Sequence, residues 1–353
     1  MANFEQGIGS GVFQLLDPTS DIVSNRVTTV SSGIWSNGGT SISSGSATSG
    51  FFQSNAQSAS SGEYYVDVHQ EQSASTSSEV QFSVAFGHYA GSGSLNATIG
   101  TNPSLAIHSQ FKNVIVSPTK EYFQYGASGA ESNISAAYFI SVARARMREK
   151  VDPGNWELHL DAGTPQVKLI DDSGATTNPT SGIGGRVFNV VSGSIATGTA
   201  VTKTAAASQA GGGIGLFYPD TGLIILNADQ VDSLVADVTT VTTSNTLGAN
   251  VPRFFDSIVQ GAKFQARREE RLSSTHYFCR AGNKEFNFSN NPTFFTASDG
   301  TFTQATFFKD PKTYITTVGL FNDSNELLAV AKLSQPVLKS YSREALIKVK
   351  LDF

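Results

Sequence analysis

The stretch TYITTVGLFNDSNELLAVAKLSQPVLKSYSREALIKVKLDF, residues 313–353, carries strand, turn and strand signals in succession. In its last part Ile347, Val349, Leu351 and Phe353 alternate with Lys348, Lys350 and Asp352, the period-two pattern of a strand with one face buried. Upstream, Asn322-Asp323-Ser324-Asn325 separates two apolar runs. Asn and Asp bond their own backbone and tolerate left-handed geometry, so this spacing predicts a β-hairpin. An apolar terminal strand frays unless it is paired on a sheet or set beside a neighbour. Ile347, Val349, Leu351 and Phe353 are therefore interface candidates.

Toward the amino terminus the same signals recur. Val80, Phe82, Val84 and Phe86 alternate with polar or small residues, and 111–116 is a second apolar run in a β-rich stretch punctuated by Gly and Asn. Phe139, Ala143, Met147 and Val151 fall at spacings of four, which predicts a short helix ended by Pro153-Gly154. Residues 156–170 read as a hairpin turning at 162–165, and 187–191 as a lone strand in a Gly/Thr/Ala-rich region. Asn227 is placed to cap a helix over about 228–236, and a further helix runs over about 251–260, ending at Gly261.

Between Arg26 and Glu63 there is no charged residue, and positions 31–62 hold twelve Ser and six Gly. Composition alone reads this as a flexible arm. Ile34, Trp35, Phe51 and Phe52 interrupt it, and large apolar side chains are out of place in a solvated spacer. Two alternatives follow: the aromatics fold back on their own subunit, or the arm docks on a neighbour, which makes Trp35, Phe51 and Phe52 interface candidates as well. The expected architecture is mainly β with a few short helices (α+β), in multi-domain antiparallel sheets or sandwiches. Its expected parts are an extended Ser/Gly-rich amino-terminal arm (1–62), a β-rich domain ending in a short helix (63–154), an inserted small β domain (155–247) and a carboxy-terminal β domain (248–353) packing with 63–154.

The 353 residues are only 15% charged, with a net charge of −5 and pI near 5.6. Globular chains average about 25% charged residues, so this surface is poorly suited to keeping a free monomer apart. Nucleic-acid binding rests on clustered Lys and Arg, which the balance argues against. One cysteine, Cys279, excludes an intrachain disulfide. No basic-then-apolar leader and no 18-residue apolar run is present, so neither secretion nor membrane insertion is expected. The Asn-x-Ser/Thr matches at Asn96, Asn133, Asn287 and Asn322 are then chance.

Chemistry is hard to find. The five histidines, His69, His88, His108, His159 and His276, lie in no metal-binding spacing. Ser273, Ser274, His276 and Cys279 are close in sequence, but in a strand Cys279 faces away from Ser274 and His276, and no nucleophile elbow surrounds them. Residues 211–215 are Gly-rich without the Lys-Ser/Thr of a phosphate loop. Asp171, Asp172 and Asp323 lack the remaining ligands of a calcium loop. The expectation is a protein that is not an enzyme, with no catalytic, cofactor-binding or metal-binding residue and no cofactor.

The strings DPGNWELHL (152–160), GLFYPDTGLIILN (215–227), EFNFSNNPTFF (285–295) and the terminal segment resemble a virion structural protein of contractile-tailed bacteriophages, notably those infecting cyanobacteria. The resemblance covers about 136–353, with a looser likeness over the first 130 residues. It implies a structural subunit of the virion tail, assembled in the host cytoplasm, most naturally in a baseplate wedge and docking in many copies. The implied partners are other tail or baseplate proteins and copies of itself, without nucleic acid or membrane insertion. It carries no catalytic motif. Alternatives are a neck, collar or tail-fibre attachment protein, or a receptor- or glycan-binding tail module in which Trp35 or the aromatics near Phe288 stack on sugar rings and contact the host. A wall-degrading glycosidase would need two carboxylates facing across a groove, and Glu157 with Asp161 is the weak best pair.

Overall fold

The computed structural model describes residues 4–6, 12–14, 22–43, 50–54, 63–71, 78–94, 102–125, 132–161, 166–174, 180–195, 214–235, 238–240, 242, 248–288, 292–296 and 299–352. The chain is mostly β, with antiparallel sheets and a few short helices, as the alternating patterns predict. It divides into two compact units. One joins residues 1–28 to 271–353, and the other is 29–270.

The 29–270 unit is built on a twelve-stranded sheet. Along it run Ser41–Ser43, Lys263–Gln265, Glu157–Leu160, Val167–Asp171, Gly185–Ser192, Gly215–Tyr218, Leu223–Asn227, Ala136–Val142, Val80–His88, Tyr65–His69 and Phe52–Ser54, with Thr180–Gly182 beside Gly185–Ser192. Neighbouring strands are antiparallel. Strands Ala136–Val142 and Leu223–Asn227 are apolar at nearly every position, because both faces are covered. Phe82, Val84, Tyr138, Ile140, Phe217, Ile224 and Leu226 enter one core, while Ala85, Ala137, Phe139, Leu216, Leu223 and Ile225 enter another. Alternation thus survives as a choice between two cores, not between core and water.

Helix Asn250–Gly261 closes the first core through Val251, Phe254 and Ile258, and Phe254 stacks on Tyr138 at 4.4 Å. Close approach fixes its last residue. A Cβ on Gly261 would stand 2.1 Å from the His159 carbonyl oxygen, so no larger residue fits without movement. Helix Ala228–Leu234 starts as expected, with the Asn227 side chain accepting from the Asp229 amide at 3.1 Å. The second core is closed by helix Pro103–Ile115 and the short pair Phe123–Tyr125 with Ser132–Ile134; Phe111 of the helix stacks on Phe139 at 4.4 Å.

Two local expectations are corrected and a third is met in part. The run 111–116 is mainly helical: Pro103 sits in the first turn, and Ile107, Phe111 and Ile115 recur at four-residue spacing toward the second core. The four-residue spacing of Phe139, Ala143, Met147 and Val151 spans a strand, Ala136–Val142, and only one helical turn, Arg144–Met147; cross-strand pairing overrides the spacing there. The hairpin of Glu157–Leu160 with Val167–Asp171 forms, while its expected turn at 162–165 lies outside the described residues.

The expected four-part division is also replaced. Strands drawn from 155–247 are interleaved in one sheet with Val80–His88 and Ala136–Val142, so that segment is no separate insert. Nor is 1–62 wholly an extended arm: Ser41–Ser43 pairs with Lys263–Gln265, and Ile34, Trp35, Ile42 and Phe51 belong to the first core. The composition shifts that suggested boundaries mark changes in side-chain content, whereas sheet pairing is blind to them.

In the other unit, residues 274–281 pair antiparallel with Ala345–Asp352. Strands Lys312–Phe321 and Leu327–Ser340 form a separate two-stranded hairpin, turning at the Asn322-Asp323-Ser324-Asn325 predicted from sequence, with Asn325 left-handed at φ 61°. At the hairpin base the buried Lys339 ammonium donates to the Asn283 carbonyl at 3.0 Å, the Asn287 side-chain oxygen at 3.2 Å and the Ser340 carbonyl at 3.1 Å.

Two outcomes follow for the 29–270 unit. Trp35 lies 5.0 Å from Phe264 and 6.0 Å from Phe82, ring centre to ring centre. Trp35→Ala is expected to lower its stability by about 3–5 kcal/mol in denaturant melts, through lost burial and the cavity left behind. The buried His108 is held down to about 4, first by burial and then by the nearby His88 and Lys112, against a bond to the Ile134 carbonyl that raises it. Unfolded His takes its proton near the ordinary value while the folded ring stays neutral, so stability falls as pH drops from about 6.5 to about 4. His108→Gln is expected to remove about 1–3 kcal/mol of that fall, measured as the difference between the two proteins' pH profiles.

Candidate interaction surface

The sheet of residues 274–281 and 345–352 has two unlike faces. Register places Ser274 opposite Asp352, His276 opposite Lys350, Phe278 opposite Lys348 and Arg280 opposite Leu346. These eight share one face, since directly paired residues point the same way. The other face carries Thr275, Tyr277, Cys279, Ala281, Ala345, Ile347, Val349 and Leu351. Thr275 donates at 2.9 Å to the side chain of Asn25, which lies in strand Ile22–Gly33, and this puts the next residue of that strand, Arg26, toward the His276 side.

The first face is basic. Lys348 stands 5.7 Å above the Phe278 ring, and Lys350 pairs with Asp352 at 2.8 Å. His276 is held below the ordinary imidazole range, by desolvation first and then by Lys348, Lys350 and Arg26, with Asp352 opposing. The same geometry lowers Asp352, through bonds from Lys350 and Ser274. Arg26 and Lys348 have no carboxylate partner among the described residues. Leu346 beside them is 67% exposed.

The hairpin is the second feature. Tyr314, Leu327, Leu328 and Val330 are 54–68% exposed, although they sit in ordered, paired strands. A two-stranded hairpin standing alone in water is marginal at best, and exposed apolar strand surface marks either an interaction site or an aggregation hazard. Its tip is acidic and well ordered. The Asn322 side-chain oxygen accepts from the Ser324 and Glu326 amides at 3.0 and 2.8 Å, and its amide donates to Glu326 at 2.6 Å. Asp323 and Glu326 are exposed and meet no Lys or Arg among the described residues.

The sequence-named interface residues divide. Trp35 and Phe51 are buried around Phe82, so of the two alternatives the aromatics fold back on their own unit and are corrected out of the docking set. Phe52 is half-buried in its strand. Ile347, Val349 and Leu351 share the apolar face of the terminal strand, Val349 buried and the other two half-buried, while Phe353 lies outside the described residues. Tyr314, Leu327, Leu328, Val330 and Leu346 were missed, because alternation announces a strand with a covered face whether or not anything covers it.

Several buried carboxylates elsewhere are engaged in holding the fold. Glu157, 2% exposed, accepts from the His159 ring, from Ser194 Oγ at 2.9 Å and from the Ile195 amide at 2.6 Å. Burial pushes its carboxyl up, but these three donors outweigh that and hold it below the ordinary range. Ser194 Oγ and the His159 ring thus meet at the one Glu157 carboxylate. Asp171 accepts from the Gly154 and Ser173 amides, and Asp172 from the backbone and side chain of Asn189. As strand geometry predicts, Ser274 and His276 share a face and Cys279 takes the other; Ser274 donates to Asp352 at 2.6 Å. Among the described residues no group of three or more His, Cys, Asp or Glu is arranged to hold a metal ion.

Comparison with protein-family models, curated proteins and solved structures returned no match.

If the hairpin's outer side chains serve contact and not folding, Leu327→Ser, Leu328→Ser and Val330→Ser together are expected to shift the thermal melt of the free protein little, by about 1 kcal/mol or less. The same variant is expected to bind less of an apolar-surface dye and to stay soluble at higher concentration. A collapse of the melt would show that these residues are part of a core.

Proposed function

We propose that the chain is a structural subunit of a contractile bacteriophage tail, most specifically of the baseplate, that works by docking in a multi-copy assembly and performs no catalysis. The observation that carries this is the contrast between the two units. Among the described residues the large clusters of buried hydrophobic side chains lie in the 29–270 unit, and the other unit holds a small aromatic group around Phe307. In the other unit the buried hydrophobics among the described residues are Ala281, Phe307, Ala345 and Val349, beside a long hairpin with an exposed apolar strand. Such a unit gains the burial it lacks when another molecule covers it.

The low charge content and the resemblance to tail proteins in 152–160, 215–227 and 285–295 support the same reading. Among the described residues no helix is long and apolar enough to cross a membrane. For a glycan-binding module, Trp35 is unavailable because it is buried. Of the later aromatics, Phe294, Phe302 and Phe307 pack on one another with ring centres 4.4–5.9 Å apart, which makes a small internal cluster; Phe288 and Phe308 beside it are exposed, at 50% and 78%.

The test is direct. Peptides of this chain are expected in purified tails at a stoichiometry of several copies per particle, and subnanometre density of the particle is expected to contain both units at repeated positions. Absence from tails, or recovery only with free host-wall fragments or glycans on an array, would defeat the proposal.

A further inference from the structure

The unpartnered groups of the 1–28 and 271–353 unit match each other. At the hairpin tip two carboxylates, Asp323 and Glu326, have no cationic partner among the described residues, and behind them stand the exposed Leu327, Leu328 and Val330. On the basic sheet face two cations, Arg26 and Lys348, have no anionic partner among the described residues, with the exposed Leu346 and the half-buried Phe278 beside them. Each feature presents a short charged patch of one sign next to an apolar patch. Complementary potentials of this kind fix register and orientation between partners more than they add raw affinity, while the apolar contact supplies the burial.

We propose that the 312–340 hairpin of one copy of this chain docks, acidic tip leading, on the basic face formed by 274–281 and 345–352 of a second copy. Asp323 and Glu326 meet Arg26 and Lys348 of the neighbour, and Leu327 and Leu328 cover Leu346. The proposal rests on the multi-copy assembly reading above and names the partner at that surface. Because the two patches differ, the contact is head-to-tail. Head-to-tail contacts close into rings when the rotation allows and otherwise extend as filaments, in contrast to the self-limiting pair made by a two-fold interface.

The experiment uses the full chain in sedimentation velocity across concentration and salt. The wild-type protein is expected to associate, more weakly as salt rises. Asp323→Lys with Glu326→Lys, and separately Arg26→Glu with Lys348→Glu, are each expected to weaken association by about tenfold or more, since each sets like charges face to face. Mixing the two variants is expected to restore it, because each then offers the sign the other needs. The milder pair Arg26→Gln with Lys348→Gln is expected to flatten the salt dependence, and keeps the test open if a charge reversal fails to fold. A wild-type chain that stays monomeric throughout, variants that associate like wild type, or folded variants whose mixture does not recover would each overturn the proposal. A monomeric chain that nonetheless occurs in tails would remove the copy-to-copy contact and leave the assembly reading intact, with a different protein covering the face.

Discussion

Strands Val80–His88, Ala136–Val142 and Leu223–Asn227 lie side by side in the middle of the large sheet with both faces covered, and the rest of the 29–270 unit follows from that burial. With both faces covered, the amides and carbonyls of these strands are met by neighbouring strands. That requirement recruits pairing partners from sequence positions as distant as 41–43 and 263–265. It also demands lids on both sides, which helices 103–115 and 250–261 supply. Close backbone approach then becomes unavoidable in places. A Cβ on Gly215 would stand 1.9 Å from the Ile225 carbonyl oxygen, where only glycine lets the strands meet.

The other unit solves the opposite problem. Its sheet is held by backbone pairing and by side-chain bonds such as Thr275 to Asn25 and the buried Lys339 ammonium to the 283–287 loop. These fix geometry without burying much apolar surface, and hydrogen bonds contribute only about 1 kcal/mol each in net terms. An ordered unit with so few buried side chains has burial to gain when another molecule covers it. The exposed hairpin strand and the basic sheet face are thus two aspects of one condition, an ordered surface left uncovered in the single chain.

The sequence carried a good deal of this. Alternation at 345–352, the Asn/Asp turn at 322–325, the Asn227 cap and the helix ending at Gly261 are local, since each depends on residues within one turn or one strand of each other, and each is present in the structure. The mainly β class follows from their number. Where reasoning stayed local but the cause was distant, it failed. Phe139 looked helical by spacing and is held in a strand by Ala85 and Ile225 on either side. The Ser/Gly-rich 31–62 stretch looked like an arm, yet Trp35 sits between Phe82 and Phe264.

What the sequence determined by itself is therefore the local grammar: where strands, caps and turns fall, and that no metal or phosphate motif is written in the chain. What only the tertiary structure decided is which apolar residues meet a partner. Trp35 in an uncharged, flexible-looking segment is 2% exposed, while Val330, paired with Gly319 in strand Leu327–Ser340, is 58% exposed. Burial is a property of what lies opposite a side chain, and what lies opposite is set by pairings hundreds of residues apart that no short window of sequence encodes.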